Sequence, residues 1–271
     1  MKLLNGSELA GYIKQRQAHE VRGLRQAHQV RPKLAIVLTV ELAAIETYMR
    51  MKSRYGADIL IDVEIHRVAQ NDAAATIKTL NDDASVHGII VQLPLADPAQ
   101  TEAIVNLVVA AKDVDGLGAG TTFEPATPMA ILWLLAGYNI DLPGKKIALV
   151  GRGKLVGAPL ERIFTESDYE VTVVDRKTTN VKAVLIEADI VITATGNPGL
   201  IKPDMLKQNA VVVDAGVAGE QGKTVGDLDP QVYQRDDLTI TPTKGGVGPL
   251  TVCALFENVI RAAKNRAENV G

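Results

Sequence analysis

KKIALVGRGKLVG, Lys145–Gly157, reads as an apolar strand, a glycine-rich turn and the opening of a helix. Ile147, Ala148, Leu149 and Val150 are consecutive apolar residues, as expected of a strand buried on both faces by helices. Gly151, Gly153 and Gly157 allow a sharp turn and a close approach of backbone to a pyrophosphate. The helix that follows offers N–H groups and a positive dipole end to the same anion. The next strand, YEVTVVD, ends at Asp175, about twenty-four residues beyond Gly151, where a carboxylate can accept from a ribose hydroxyl. The spacing is GxGxxxG rather than GxGxxG, so the context carries the reading: strand before, helix after, acid at the end of the second strand. Gly151, Arg152, Gly153, Val156, Gly157, Asp175 and Arg176 are therefore expected to bind a dinucleotide. Asp175 favours NAD, whereas Arg152, Arg176 and Lys177 can neutralise the 2′-phosphate of NADP, and the two signals conflict.

Downstream, the runs DIVITATG, NAVVVDAG and LTITPT add three more apolar strands. Thr195-Gly196 and Gly216-Val217, at two of the strand ends, put small residues where the flat surfaces of a cofactor need room; ordinary strand-end turns have the same composition. Five such strands predict a doubly wound, Rossmann-type domain over residues 125–249. Upstream, KLAIVLTV, ILIDVEIHRV and HGIIVQLPL alternate with the helical patterns LAAIETYMRMKSRYG and DAAATIKTLNDD, which is a second parallel α/β domain. The Pro- and Gly-rich stretch from Asp113 to Pro128 is the boundary, and Thr127-Pro128 can start the next helix. The amphipathic pattern from Leu250 onward is expected to cross back. This makes a first domain of residues 1–120 and 250–271.

Composition narrows the functions. With 271 residues, 46% hydrophobic, the chain can bury a sizeable core. A net charge of −3 supplies no basic field, so neither nucleic acid nor an anionic membrane is the expected partner. The basic stretch Lys14–Lys33 has Ile13, Ala18, Val21 and Leu24 at helical spacing beside it and reads as a solvated helix face. Cys253 is the single cysteine, no run approaches the ~18 apolar residues of a membrane span, and the N-terminus lacks a signal peptide's apolar stretch. These point to the cytoplasm. The histidines, His19, His28, His66 and His87, lack ligand spacing, and no metal is expected.

Tyr48 and Lys52, four apart on one predicted helix, project from the same face. A half-buried tyrosine beside a solvated lysine would show the same spacing. Gln92 is a polar residue near the end of the apolar strand GIIVQLPL, where it must find partners and where parallel sheets place their sites. Asp113 and Asp115, in KDVDG, can cap a turn.

Taken together, YMRMK, GIIVQLPL, KDVDG and TPTKGGVGPLT resemble the successive motifs of the bifunctional methylenetetrahydrofolate dehydrogenase/cyclohydrolase family, in order and over nearly the whole chain. The resemblance implies oxidation of 5,10-methylenetetrahydrofolate by a nicotinamide cofactor, NADP with NAD admitted by Asp175. Hydrolysis of the methenyl product to 10-formyltetrahydrofolate follows, in a cleft shared by the two domains. It implies that Tyr48 stacks along the folate, Lys52 is the acid/base group, Gln92 orients that lysine and Asp115 holds the pterin. Gly246, Pro249 and Leu250 would contact substrate, with the loop Gly245–Pro249 letting backbone approach the folate or serving as a hinge. A cytoplasmic homodimer in one-carbon metabolism and purine biosynthesis is implied as well.

The chain departs from the family where Gly-Asp-Asp-Pro-Ala-Ser is common: it has Val-Glu-Leu-Ala-Ala-Ile, with Ile45 at the serine position. Lys244 replaces a usual proline, and the segment after KDVDG is short. Two further readings are a dehydrogenase without the hydrolase step and a non-catalytic dinucleotide-binding paralogue. Retention of Lys52 favours the bifunctional enzyme.

Overall fold

Short apolar strands, each followed by a helix, build two parallel sheets in a computed structural model in which residues 1–220 and 223–270 are described. In chain order the elements are β1 (Lys2–Leu3), α1 (Gly6–Ala27), β2 (Lys33–Leu38), α2 (Ala43–Asp58), β3 (Asp62–Arg67), α3 (Ala73–Asp82), β4 (Gly88–Val91), α4 (Thr101–Val105) and α5 (Ala126–Gly137). They continue with β5 (Ile147–Val150), α6 (Gly157–Glu166), β6 (Val171–Val174), α7 (Val181–Leu185), β7 (Ile190–Thr193), β8 (Val211–Asp214), β9 (Ala218–Glu220), β10 (Lys223–Val225), β11 (Thr239–Ile240) and α8 (Val247–Val270). None of the described helices is long and apolar enough to cross a membrane.

The chain divides into two compact units. One comprises Met1–Ala10 with Thr127–Thr251, the other Gly11–Ala126 with Val252–Gly271. The expected domain of residues 1–120 is therefore corrected at its start. Lys2 and Leu3 pair in parallel with Thr239 and Ile240, and Ser7 N–H donates to Gly245 O at 3.0 Å, so the first ten residues complete the other unit.

In the unit containing Gly11–Ala126, the sheet order is β3-β2-β4 with both pairings parallel. Ala35, Val37, Ile89 and Val91 pack on Ile77, Leu80 and Ile104. On α2, Ile45 and Met49 are buried while Tyr48 and Met51 are exposed, which is the two-faced pattern of a surface helix. The returning part of α8 is tied in by polar clasps. Asn258 Nδ2 donates to Val114 O and Glu124 O, both at 2.9 Å, and buried Gln17 donates through Nε2 to Cys253 O at 2.9 Å. On α1, Arg16, His19 and Arg22 are exposed, as a solvated basic face requires; Arg16 pairs with Glu257, and Glu20 of the same helix pairs with Lys264.

Lys112, the first residue of KDVDG, is buried, and its Nζ donates to the carbonyls of Leu80, Asn81 and Asp83 at 2.7–2.8 Å, closing the C-terminal end of α3. Nearby His87 is 7% exposed, and its Nδ1 accepts from Lys33 N–H. Burial, with Arg266 and Lys112 adding positive charge, pushes its pKa down from 6.5 to about 4. The unfolded chain therefore takes up a proton first as the pH falls, and stability should be lost between the two values, by about 3 kcal/mol in full. Urea unfolding at pH 7 and pH 4.5 measures this loss. His87→Gln should flatten the slope in that window; a slope equal to that of the unaltered protein would exonerate His87.

In the other unit the sheet order is β1-β11-β8-β7-β5-β6, with every pairing parallel. The winding direction reverses between β5 and β7, and open α/β sheets bind ligands outside the carboxyl ends of the strands at such a point.

Candidate functional site

At the carboxyl end of β4, Gln92 N–H extends the ladder by donating to Val37 O at 2.9 Å, which fixes the backbone just past the strand. Its side-chain Nε2 donates to Leu93 O at 2.8 Å. This turns Oε1 toward α2, where it accepts from Lys52 Nζ at 2.8 Å. The i, i+4 spacing places Tyr48, 40% exposed, one turn before the lysine on the same helix. Burial lowers the Lys52 pKa and the Asp115 carboxylate opposes that shift. Burial raises the Asp115 pKa, countered by Lys52 and reinforced by Asp113. Lys52, hydrogen-bonded to Gln92 and within electrostatic reach of Asp115, is thus more readily neutral than in water.

Asp113 is spent on structure: its Oδ2 accepts from Gly118 N–H at 2.8 Å, the turn-capping role open to it from sequence. Ile45 is buried, so at the position where the family commonly has a serine this chain has a core side chain.

In the other unit, Gly151 directly follows β5 with φ +100°, and a Cβ there would lie 2.8 Å from Ala194 O; only glycine meets both demands. A Cβ on Gly157 would lie 2.0 Å from Gly151 O, so α6 starts in direct contact with the turn. Gly153, by contrast, faces open space. The start of α6 offers fewer donors than expected, since Ala158 N–H already donates to Gly153 O at 3.0 Å and Pro159 carries none. Val150 pairs with Val174, so Arg152 and Asp175 follow neighbouring strand ends. Asp175 Oδ1 accepts from Lys177 N–H at 2.8 Å, holding the carboxylate at the edge of the turn that carries Arg176. Gly196 has φ +68°, and its missing Cβ would lie 3.2 Å from Val217 O, so the loops after β7 and β8 meet there.

Two carboxylates, one buried and one half-buried, organise those loops, and sequence reasoning missed both. Asp227 is fully buried; its Oδ2 accepts from Thr193 Oγ1 at 2.6 Å and Thr195 N–H at 2.7 Å, and its Oδ1 accepts from Asn197 N–H at 2.9 Å. Asp214 accepts from the N–H groups of Gly216, Asp227 and Leu228. Burial raises the Asp214 pKa against the pull of those three bonds. A Cβ on Gly216 would lie 2.2 Å from Asp227 Oδ1, so that glycine is required by the carboxylate rather than by its own φ. Both aspartates stand in DAG and GDLD, a signal visible in sequence only as Asp beside Gly.

Around TPTKGGVGPLT the structure corrects the expected loop. Gly245 has φ +81° and the turn is complete by Gly246, but Val247–Pro249 already form the first turn of α8, where proline's missing N–H costs nothing. Leu250, expected to touch substrate, is fully buried, and its side chain belongs to the core.

Fold and glycine turn define a nicotinamide-dinucleotide α/β enzyme class, in which Lys52 is hydrogen-bonded to Gln92 at the end of β4. The description "Tetrahydrofolate dehydrogenase/cyclohydrolase, catalytic domain" matches residues 4–115, and "Tetrahydrofolate dehydrogenase/cyclohydrolase, NAD(P)-binding domain" matches residues 125–267. The chain belongs to the tetrahydrofolate dehydrogenase/cyclohydrolase family. It is 36% identical over 281 residues to the bifunctional protein FolD of Campylobacter jejuni, covering 98% of this chain and 99% of the relative. A crystal structure of the bifunctional FolD enzyme from Campylobacter jejuni superposes with TM-score 0.92 at 35% identity, over 98% of this chain and 99% of that one. The Trypanosoma brucei methylenetetrahydrofolate dehydrogenase-cyclohydrolase, complexed with NADP and an inhibitor, superposes with TM-score 0.90 at 27% identity, over 97% of each chain.

Proposed function

We infer that the protein oxidises 5,10-methylenetetrahydrofolate to 5,10-methenyltetrahydrofolate with NADP, with NAD admitted by Asp175, and hydrolyses the product to 10-formyltetrahydrofolate. The observation that carries this reading is the hydrogen bond from Lys52 Nζ to Gln92 Oε1 at 2.8 Å in a site that disfavours the ammonium form. Hydride loss builds positive charge on the folate, and a cationic lysine alongside would oppose it. A neutral amine does not, and it can then take a proton from the attacking water. Gln92 keeps the amine pointed, Tyr48 offers an exposed ring face for stacking, and Asp115 supplies a carboxyl for the hydrogen-bonding edge of the pterin.

The residues of the glycine turn fit a dinucleotide, because positive-φ Gly151 and open-faced Gly153 leave backbone accessible where any Cβ at Gly151 would intrude. Gly151, Arg152, Gly153, Val156 and Gly157 would hold the pyrophosphate end. Asp175 and Arg176 would meet the ribose, and Thr195, Gly196, Gly216 and Val217 would border the rings. When bound, the nicotinamide accepts the hydride. Gly246 and Pro249 are assigned to the folate side by the family motif, with Leu250 supporting them from the core. A cytoplasmic homodimer serving purine biosynthesis completes the proposal, supported by the family resemblance and by a lone, buried cysteine.

Initial-rate formation of methenyltetrahydrofolate, compared between NADP and NAD in one preparation, tests the oxidation. Turnover with NADP is expected, and none with either would overturn it. Accelerated decay of added methenyltetrahydrofolate tests the hydrolysis separately.

A further inference from the structure

The end of β6 is where an acidic residue meets the ribose of a bound dinucleotide, and three cations flank it in sequence or space: Arg152, Arg176 and Lys177. On charge alone this edge should select strongly for a 2′-phosphate. One of the cations is already engaged. Arg152 Nε donates to Glu161 Oε2 at 2.5 Å, across nine residues, from the first turns of α6. The arginine side chain is 60% exposed and the glutamate 26%, so the cation reaches toward the open edge while the anion holding it is partly shielded from water. Contact through Nε occupies one side of the guanidinium fork, the geometry that phosphate oxygens also use. The Asp175 carboxylate, pinned by Lys177 N–H, adds a second negative charge at the same edge.

We propose that Glu161 is a specificity-determining residue: a 2′-phosphate must compete with its carboxylate for Arg152, which weakens the discrimination of NADP from NAD. The inference rests on the cofactor reading above. Glu161 lies on the buried-and-exposed boundary of α6, whose core contacts come from Leu160 and Phe164, so the fold does not call for a carboxylate there. Removing the charge leaves Arg152 free to pair with the ligand.

Isothermal titration of the full chain with NADP, NAD and 2′,5′-ADP, without folate, reads the effect directly. Glu161→Gln should tighten NADP and 2′,5′-ADP on the order of tenfold and leave NAD within about twofold, the gain expected when a charge-assisted contact replaces a contested one. The double variant Arg152→Gln/Glu161→Gln should lose that gain. An unchanged NADP-to-NAD ratio in Glu161→Gln, or a gain that survives loss of Arg152, overturns the inference while leaving the cofactor site standing. Failure of the unaltered protein to bind either dinucleotide overturns both.

Discussion

Lys52→Met is expected to abolish hydrolysis of methenyltetrahydrofolate, a fall of about 10²–10⁴-fold for loss of a positioned base, in a chain that still folds and still binds dinucleotide. Methionine keeps the length and apolar stem of lysine and removes only the amine. Gln92 Oε1 then loses its donor, at about 1 kcal/mol, while a group that burial holds toward neutrality no longer has to be desolvated. Decay of methenyl absorbance, read beside a melting curve and an NADP titration, separates chemistry from folding. Hydrolysis at the rate of the unaltered protein would strip Lys52 of the role. The pH profile adds a sign: the active form is the neutral amine, so the rate climbs with pH, and the climb lies below the ordinary lysine value because burial lowers the pKa. Asp115→Asn removes the charge that opposes this shift and should move the rising limb to lower pH still.

Asp227→Ala should cost about 4 kcal/mol of stability and most of the affinity for dinucleotide. Its carboxylate takes three donors, the Thr193 hydroxyl and the N–H groups of Thr195 and Asn197; alanine would leave the first two without their acceptor beneath the loop after β7, while Asn197 N–H keeps a bond to Thr195 Oγ1 at 3.1 Å. Each buried donor left unpaired is worth about 1–3 kcal/mol. Asp227→Asn is the gentler comparison. It keeps the volume but offers a single acceptor oxygen and turns an NH₂ group toward donors, so it should fold and bind NADP more than about tenfold more weakly. Urea unfolding and calorimetric titration decide the matter: an alanine variant with an unchanged midpoint and unchanged Kd would mean that the loop holds its shape without the carboxylate.

What could be read before folding and what could not follows from the range of each interaction. The strands around Val37, Ile90, Leu149 and Ile192 announce themselves because burial on both faces demands unbroken apolar runs, a signal complete within four to six residues. Lys52 and Gln92 were legible by a different route, one from helical spacing with Tyr48 and the other as a polar residue at the end of a buried strand. Asp227 was not. Its partners lie 30 to 34 residues earlier, and two of them are backbone N–H groups, which every residue but proline carries. Glu161 looked like any polar position on an amphipathic helix, since nothing local says that its carboxylate turns back to the glycine loop. The two-residue β1 is too short for any periodicity, and the start of α8 at Val247 was hidden by glycines and a proline that a first helical turn tolerates.

The parallel pairing of Lys2–Leu3 with Thr239–Ile240 has a consequence for biogenesis. On the ribosome, β1 is made more than two hundred residues before its sheet partner. At about 5–20 residues per second, that is a wait of roughly ten seconds or more. The unit that takes up these residues is therefore sealed only once β11 is made; until then β8 lacks its β11 neighbour and exposes unpaired backbone to neighbouring chains, while Lys2–Leu3 have no strand to join. A nascent chain stalled before residue 239 is the form of this protein that a chaperone would be called on to shield.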